Sequence, residues 1–327
     1  MKKIALLNTA IFSFNQGDYI IMESVKKQLS FLTSEAFVVE IATHSPMFHV
    51  RELGLFNKNS FYDKLQDIDY KFVCGTNLLA HNMHYRKTAW NINLRDTKHF
   101  GGAVLVGVGT CHSDEEINAY TRKLYKQALA ADYTHSVRDE RTKKMMEDMG
   151  YKVINTGCAT MWGLTESHCE KIPCTKKNKV VFTLTDYAMD PKNDKKMIDI
   201  LRRNYDELVF WPQGVGDFEY FHSLGETKDI QIISPLLENY SCFLTQNDCD
   251  FVGTRLHAGI KAMQMLKRSI IIGVDNRARD MAANYGLHLI ERETIEDLEA
   301  KINGTFSTKM KIKEENIRTF LAQFSAK

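Results

Sequence analysis

Residues 249–274 read CDFVGTRLHAGIKAMQMLKRSIIIGV, and this stretch decides the fold class. Residues 249–252 form a short apolar run that Gly253 ends. Residues 256–266 read as a helix, and residues 269–274 as a second apolar run. A strand, a helix and a strand in succession form a crossover unit. Crossovers of this kind are right-handed and build parallel sheets covered on both faces.

The same alternation continues outward. Toward the C-terminus come a helix over 277–285, a short strand over 288–290 and two closing helices. Toward the N-terminus lie strands over 179–184 and 208–211, a shorter one over 231–233, and a helix over 194–204. An earlier series has strands over 3–7, 37–42, 70–74, 103–108, 134–137 and 153–155. From Asp18 onward Met22, Val25, Leu29 and Leu32 recur at three- and four-residue steps, an amphipathic helix. Further helices span 117–129 and run from Asp139 to a stop at Gly150. The polar, lysine-rich segment 174–179 is the linker candidate. The expectation is an α/β chain of two Rossmann-like doubly wound domains, 1–175 and 176–327, facing across a cleft. Ligands of such sheets bind outside the carboxyl ends of the strands.

Composition sets limits. The 327 residues carry a formal net charge of +2, too little field for a dedicated nucleic-acid binder. The seven cysteines (Cys74, Cys111, Cys158, Cys169, Cys174, Cys242, Cys249) are irregularly spaced with no Cys-x-x-Cys pair, so no structural zinc is expected. Several sit in apolar runs, as buried thiols of a cytoplasmic chain do. Lys2 and Lys3 before the run 4–7 could open a signal peptide, but Asn8 interrupts it and a strand is the better reading. No stretch approaches eighteen apolar residues, so no membrane span is expected.

Four clusters fall at strand ends. Asn15-Gln16-Gly17-Asp18 follows the first strand; alone it reads as a capped helix start, with Asp18 as the cap. Arg138-Asp139 follows the strand 134–137, where an ion pair is the plain alternative to an anion ligand. In Thr254-Arg255-Leu256-His257, Thr254 would cap the helix. Arg255 would add a guanidinium to an anion-favouring helix N-terminus, and His257 a proton donor beside it. Asp275-Asn276-Arg277 follows the next strand, again with capping as the plain reading. Asn77 after the third strand, and Gln213 within Trp211-Pro212-Gln213-Gly214, are further binding candidates. His81 and His84 have helical metal spacing but no accompanying ligand, so no metal is expected. Tyr85 and Trp90 could stack on sugars or pack in the core.

Together, Asn15-x-Gly17-Asp18, Val137-Arg138-Asp139-Glu140 with Thr142, and Arg255-Leu256-His257 resemble the polysaccharide pyruvyltransferases in order and spacing, over about residues 8 to 285. The segments Cys74-Gly75-Thr76-Asn77, Thr156-Gly157-Cys158-Ala159-Thr160 and Asp275-Asn276-Arg277-Ala278 depart from that family's usual pattern and point to a distinct subfamily. The resemblance implies a glycosyltransferase-B-like pair of domains, phosphoenolpyruvate as donor and a saccharide acceptor, free or lipid-linked at the cytoplasmic membrane face. Arg138 and Arg255 would each take one anionic group of the donor, and His257 would protonate its methylene carbon. No cofactor is demanded.

Two other readings stay open: a nucleotide-sugar glycosyltransferase, with Glu291 or Asp280 on the ribose, and a non-catalytic saccharide-binding protein. The C-terminal segment carries Lys309, Lys311, Lys313 and Arg318, then an apolar stripe of Ile317, Phe320, Leu321 and Phe324. The stripe reads either as a peripheral membrane contact or as packing against the domains.

Overall fold

The computed structural model describes residues 1–47, 65, 67–84, 89–110, 116–225 and 227–325; Tyr85 and Cys111 lie outside them. The chain divides into two compact units. The first comprises Met1–Ser13, Ile21–Trp162 and Lys313–Lys327, the second Phe14–Ile20 and Gly163–Ile312.

The first unit contains β1 (Lys2–Asn8), most of α1 (Gln16–Gln28), α2 (Ser30–Thr33), β2 (Ala36–Ala42), β3 (Tyr70–Cys74), β4 (Asn77–Leu79), β5 (Ala103–Val106), β6 (Gly109–Thr110), α3 (Ala119–Ala128), β7 (His135–Val137), α4 (Glu140–Glu147) and β8 (Val153–Asn155). Among the described residues β2, β1, β3 and β5 form a parallel sheet in that order. β1 lies inside this sheet, which is why the run 4–7 is buried throughout. β7 pairs with β8, and a bridge between Val108 and Val137 connects β7 with the loop after β5. Gly75, with φ of 61°, turns the chain after β3; a Cβ there would stand 2.1 Å from Ile21 Cγ2. Trp90 is fully buried in the core with Phe100, Leu105 and Tyr125, so it packs and does not stack on a sugar.

The second unit contains α5 (Glu166–Cys169), β9 (Lys179–Thr183), α6 (Pro191–Asn204), β10 (Glu207–Phe210), α7 (Val215–Ser223), β11 (Gln231–Ile232), α8 (Leu237–Gln246), β12 (Cys249–Gly253), α9 (Leu256–Gln264), β13 (Ser269–Gly273), α10 (Asn276–Tyr285), β14 (Leu289–Glu291) and α11 (Asp297–Asn303). Its strands lie in the order β11-β10-β9-β12-β13-β14 among the described residues, and each adjacent pair is parallel. Numbered from β9, this is the 3-2-1-4-5-6 order of the doubly wound fold. The order reverses between β9 and β12, where ligands of such sheets bind. Phe182, Phe210, Phe221, Val252 and Ile270 pack the core. At the opposite end of β12, Arg268 is buried with Asp250 at 2.9 Å and donates to the carbonyls of Lys301, Ile302 and Gly304. A cation there satisfies the carbonyl end of α11.

The unit boundary differs from the expected 175/176. The helix α5 belongs to the second unit, where His168 Nε2 bonds the Met263 carbonyl at 2.9 Å. Conversely α12 (Glu314–Ala322) returns to the first unit. Its stripe is occupied: Phe320 and Phe324 are buried, Ile317 nearly so, and Phe324 meets Phe72 and Tyr70 edge-on. Asn316 Nδ2 donates to the Asn155 carbonyl and Gln323 brackets Thr134. Leu321 is half-buried, so most of the stripe packs within the first unit, the second of the two readings. Among the described residues no helix is long and apolar enough to cross a membrane.

Candidate active site

Gly253 ends β12 against the end of β9. A Cβ at Gly253 would fall 2.3 Å from Thr183 Oγ1 and 2.7 Å from Thr183 N, so only glycine lets the two strands meet here. The Thr254 hydroxyl bonds that of Thr185 at 2.8 Å, and Arg255 N donates to Thr183 Oγ1 at 3.1 Å. Thr254 is therefore not the helix cap that the sequence suggested; Arg255 occupies that position.

The Arg255 side chain is 6% exposed and turns toward acids. Its Nε donates to Asp217 Oδ2 at 2.9 Å and to the Leu184 carbonyl at 3.2 Å. Nη2 donates to Asp186 Oδ1 at 2.8 Å and to Asp217 Oδ1. Asp217 is fully buried and also accepts the backbone N–H groups of Asp186, Gln213 and Gly214. Burial pushes the Asp217 carboxyl up, with Arg255 and the backbone N–H groups opposing. Burial alone would lower the Arg255 pKa, and Asp217, Tyr187 and Asp186 raise it beyond its ordinary value. Gly214 and Gly216 make room for this pair of acids. A Cβ at Gly214 would sit 2.5 Å from Arg255 Nη2, and one at Gly216 2.3 Å from Asp186 Oδ2. Among the described residues no group hydrogen-bonds Arg255 Nη1. His257, two residues on in α9, is 6% exposed.

Tyr187, in the turn Asp186–Ala188 after β9, lies with its ring centroid 5.0 Å from Arg255 Cζ. Its hydroxyl donates to Asp275 Oδ2 at 3.1 Å and accepts from Arg277 Nη2 at 3.0 Å. Asp275 also caps α10 by accepting from Ala278 N at 2.8 Å, and Asn276 accepts from Arg279 at 3.3 Å. The third and fourth sequence clusters thus join through an aromatic residue that the sequence reading passed over. Asp186 and Asp217 were missed as well. Nothing in the local pattern marks them, apart from the glycines at 214 and 216.

Asn15 opens α1 by accepting from Gly17 N at 3.0 Å, the capping role expected of Asp18. The same oxygen accepts from Gln213 Nε2 at 2.9 Å, and Gln16 N donates to the Gln213 carbonyl at 2.8 Å. Asp18 is buried in the first turn. Gln213 N also bonds Asp217, so the first cluster adjoins the Arg255 support within the second unit.

Arg138 and Asn77 belong to the first unit. Asp139 caps α4 by accepting from Thr142 N and Oγ1, each at 2.7 Å, and Arg138 Nε lies 3.6 Å from Asp139. A Cβ at Gly109 would stand 2.3 Å from Arg138 Nε and 2.7 Å from Asn77 Oδ1, so the glycine brings both side chains onto one backbone position. Among the described residues no group of three or more His, Cys, Asp or Glu is placed to hold a metal. The His84 ring lies 4.5 Å from that of Tyr120.

The fold and the strand-end site define a two-unit Rossmann-like chain. Over its whole length the chain is similar to the UDP-GlcNAc 2-epimerase of Methanocaldococcus jannaschii, solved with UDP-GlcNAc and UDP, at TM-score 0.55 and 14% identity over 100% of both chains. The UDP-GlcNAc 2-epimerase of Neisseria meningitidis, bound to UDP-GlcNAc, gives TM-score 0.52 and 14% identity over 99% of each chain. At these identities the likeness is one of fold, and it bears out the glycosyltransferase-B-like class. A search among curated proteins gave no match. The pattern of the polysaccharide pyruvyl transferase family matches residues 15–211, more than half of the sequence. The chain belongs to the polysaccharide pyruvyl transferase family and is a transferase.

Proposed function

We propose that the chain moves the enolpyruvyl group of phosphoenolpyruvate onto a saccharide and closes it into a cyclic ketal. The observation that carries this reading is Arg255: its Nε and Nη2 are held by Asp217 and Asp186, at the β9/β12 switch point, two residues before His257. A guanidinium whose Nε and Nη2 are held in this way is pre-organised to offer Nη1 to a phosphate or carboxylate. The acids below it lower the net charge of the site, so binding relies on directed hydrogen bonds more than on long-range attraction. That suits a donor which must release phosphate afterwards. Structural neighbours of this fold bind a nucleotide sugar, so the architecture accommodates phosphorylated ligands.

In this reading His257, as imidazolium, gives its proton to the methylene carbon of the donor. A sugar hydroxyl forms a bond to the resulting cationic carbon and loses its proton. The carbon–oxygen bond to phosphate breaks, phosphate leaves, and a second hydroxyl closes the ketal. Orientation of the reactants alone contributes about 7–11 kcal/mol to such steps. Asn15, Gly17, Asp18 and Gln213 are assigned to substrate binding beside Arg255, with Asp275, Asn276 and Arg277 beyond Tyr187. Arg138 and Asn77 enter as further candidate ligands whose own variants test them.

The test incubates the purified chain with phosphoenolpyruvate and a panel of oligosaccharides, and follows inorganic phosphate and product mass. Acceptor-dependent phosphate release with a pyruvyl ketal added to the glycan is the expected result. Release of UDP from UDP-GlcNAc, with phosphoenolpyruvate inert, would replace this reading with glycosyl transfer.

A further inference from the structure

We propose that Tyr187 is a positioning residue for Arg255: its ring closes one face of the guanidinium while Asp275 and Arg277 fix the ring, leaving Nη1 as the edge offered to an anion. The proposal rests on the reading of Arg255 as a donor ligand, and adds a residue that neither the family motifs nor the sequence clusters contain.

Four observations support it. The turn bearing Tyr187 is fastened on both sides, by Asp186 N to Asp217 Oδ1 at 3.0 Å and by Arg292 Nη1 to the Ala188 carbonyl at 2.5 Å. The next residues are tied down as well, with Asp190 N donating to Tyr220 OH at 3.0 Å. The ring lies over the guanidinium at cation–π distance, and the hydroxyl has both a donor and an acceptor partner. Through this side chain the loops after β9, β12 and β13 are tied together at the switch point. Yet Tyr187 is 55% exposed, more than core packing by itself would leave. An exposed ring held by hydrogen bonds and by a cation serves the cation. It shields one face of Arg255 from water, which strengthens the charged hydrogen bonds at the guanidinium edges.

Ring and hydroxyl are separable. Tyr187→Phe keeps the stacking and Tyr187→Leu removes it. The readouts are the Michaelis constant for phosphoenolpyruvate against kcat, and the solvent exchange of the Arg255 Nε–H proton by NMR, assigned from its loss in Arg255→Lys. In Tyr187→Leu the Michaelis constant should rise about 3- to 30-fold, as a partly desolvated cation–π contact implies, with kcat nearly unchanged and faster Nε–H exchange. Tyr187→Phe keeps the ring but loses its anchors to Asp275 and Arg277, so it should fall between wild type and Tyr187→Leu in both. A folded Tyr187→Leu protein with wild-type exchange and wild-type Michaelis constant overturns the proposal. If the wild-type chain does not turn over phosphoenolpyruvate, the functional reading fails, and the exchange comparison still decides whether Tyr187 holds Arg255.

Discussion

Asp217 grips Arg255 through both carboxylate oxygens while itself fully buried. The pair joins the start of α7 to the end of β12, two elements on opposite sides of β9. It fixes the plane of the guanidinium and decides which edge remains for a ligand. Asp217→Asn would turn an amide toward donors that all need an acceptor. Removing one partner of a buried ion pair typically costs about 3–5 kcal/mol. We expect a fall of that order in unfolding free energy, measured by urea titration; an unchanged midpoint would mean that Arg255 is supported elsewhere.

His257→Gln should fold normally, since glutamine approximates the size of imidazole. The rate of acceptor-dependent phosphate release should fall by about 10²–10⁴-fold, the usual share of general acid catalysis. Activity within a few-fold of wild type removes His257 from the mechanism.

Gly109→Ala probes the first unit without touching the Arg255 cluster. The new methyl would contact Arg138 Nε and Asn77 Oδ1, both side-chain atoms that can move aside. The expected outcome is a cooperative, near-native melting curve with transferase activity reduced at least as much as in Arg138→Lys. Full activity would show that the placement of Arg138 over this glycine is irrelevant to the reaction.

His135 gives the fold a pH dependence. It is fully buried; Nδ1 accepts from Leu105 N at 3.1 Å and Nε2 donates to the Ala130 carbonyl at 2.8 Å. That pattern requires the neutral ring, and burial lowers its pKa to about 4 from 6.5. Between those values the unfolded chain binds a proton that the folded one refuses. Stability contributed by the neutral ring is therefore complete above about pH 6.5 and is lost as pH falls toward 4, by about 3 kcal/mol in all. The urea midpoint should decline over that window, and His135→Asn should flatten the decline while lowering the plateau. An equally steep decline in the variant assigns it to other groups.

Phe320→Ala separates the two readings of the C-terminal stripe. Emptying a fully buried aromatic site typically costs about 3–5 kcal/mol, so the melting temperature should drop clearly. Binding to anionic vesicles should be the same for variant and wild type. A stable variant that loses vesicle binding would reinstate the membrane contact.

The sequence by itself determined the element types and the residues at strand ends. The strands over 70–74 and 153–155 have the bounds read from the sequence; for 70–74 the reason is that a strand buried in a parallel sheet is marked by local composition. Asp275 and Asp139 could be placed at helix starts because capping acts over two or three residues, whereas the cap of α1 was read as Asp18 and is Asn15. α7 and α8 were missed; α7 opens on two glycines flanking a valine, while α8 carries Leu237, Tyr240, Phe243 and Leu244 at helical steps behind a proline-containing loop. Only the tertiary structure decided the 3-2-1-4-5-6 order, the return of α12 to the first unit, and the partners of Arg255. Asp217 and Asp186 lie 38 and 69 residues away in the chain. An aspartate that will be buried against an arginine carries the same local signature as one that will face water. Its role is set by which strands become neighbours, and that depends on the packing of the whole sheet.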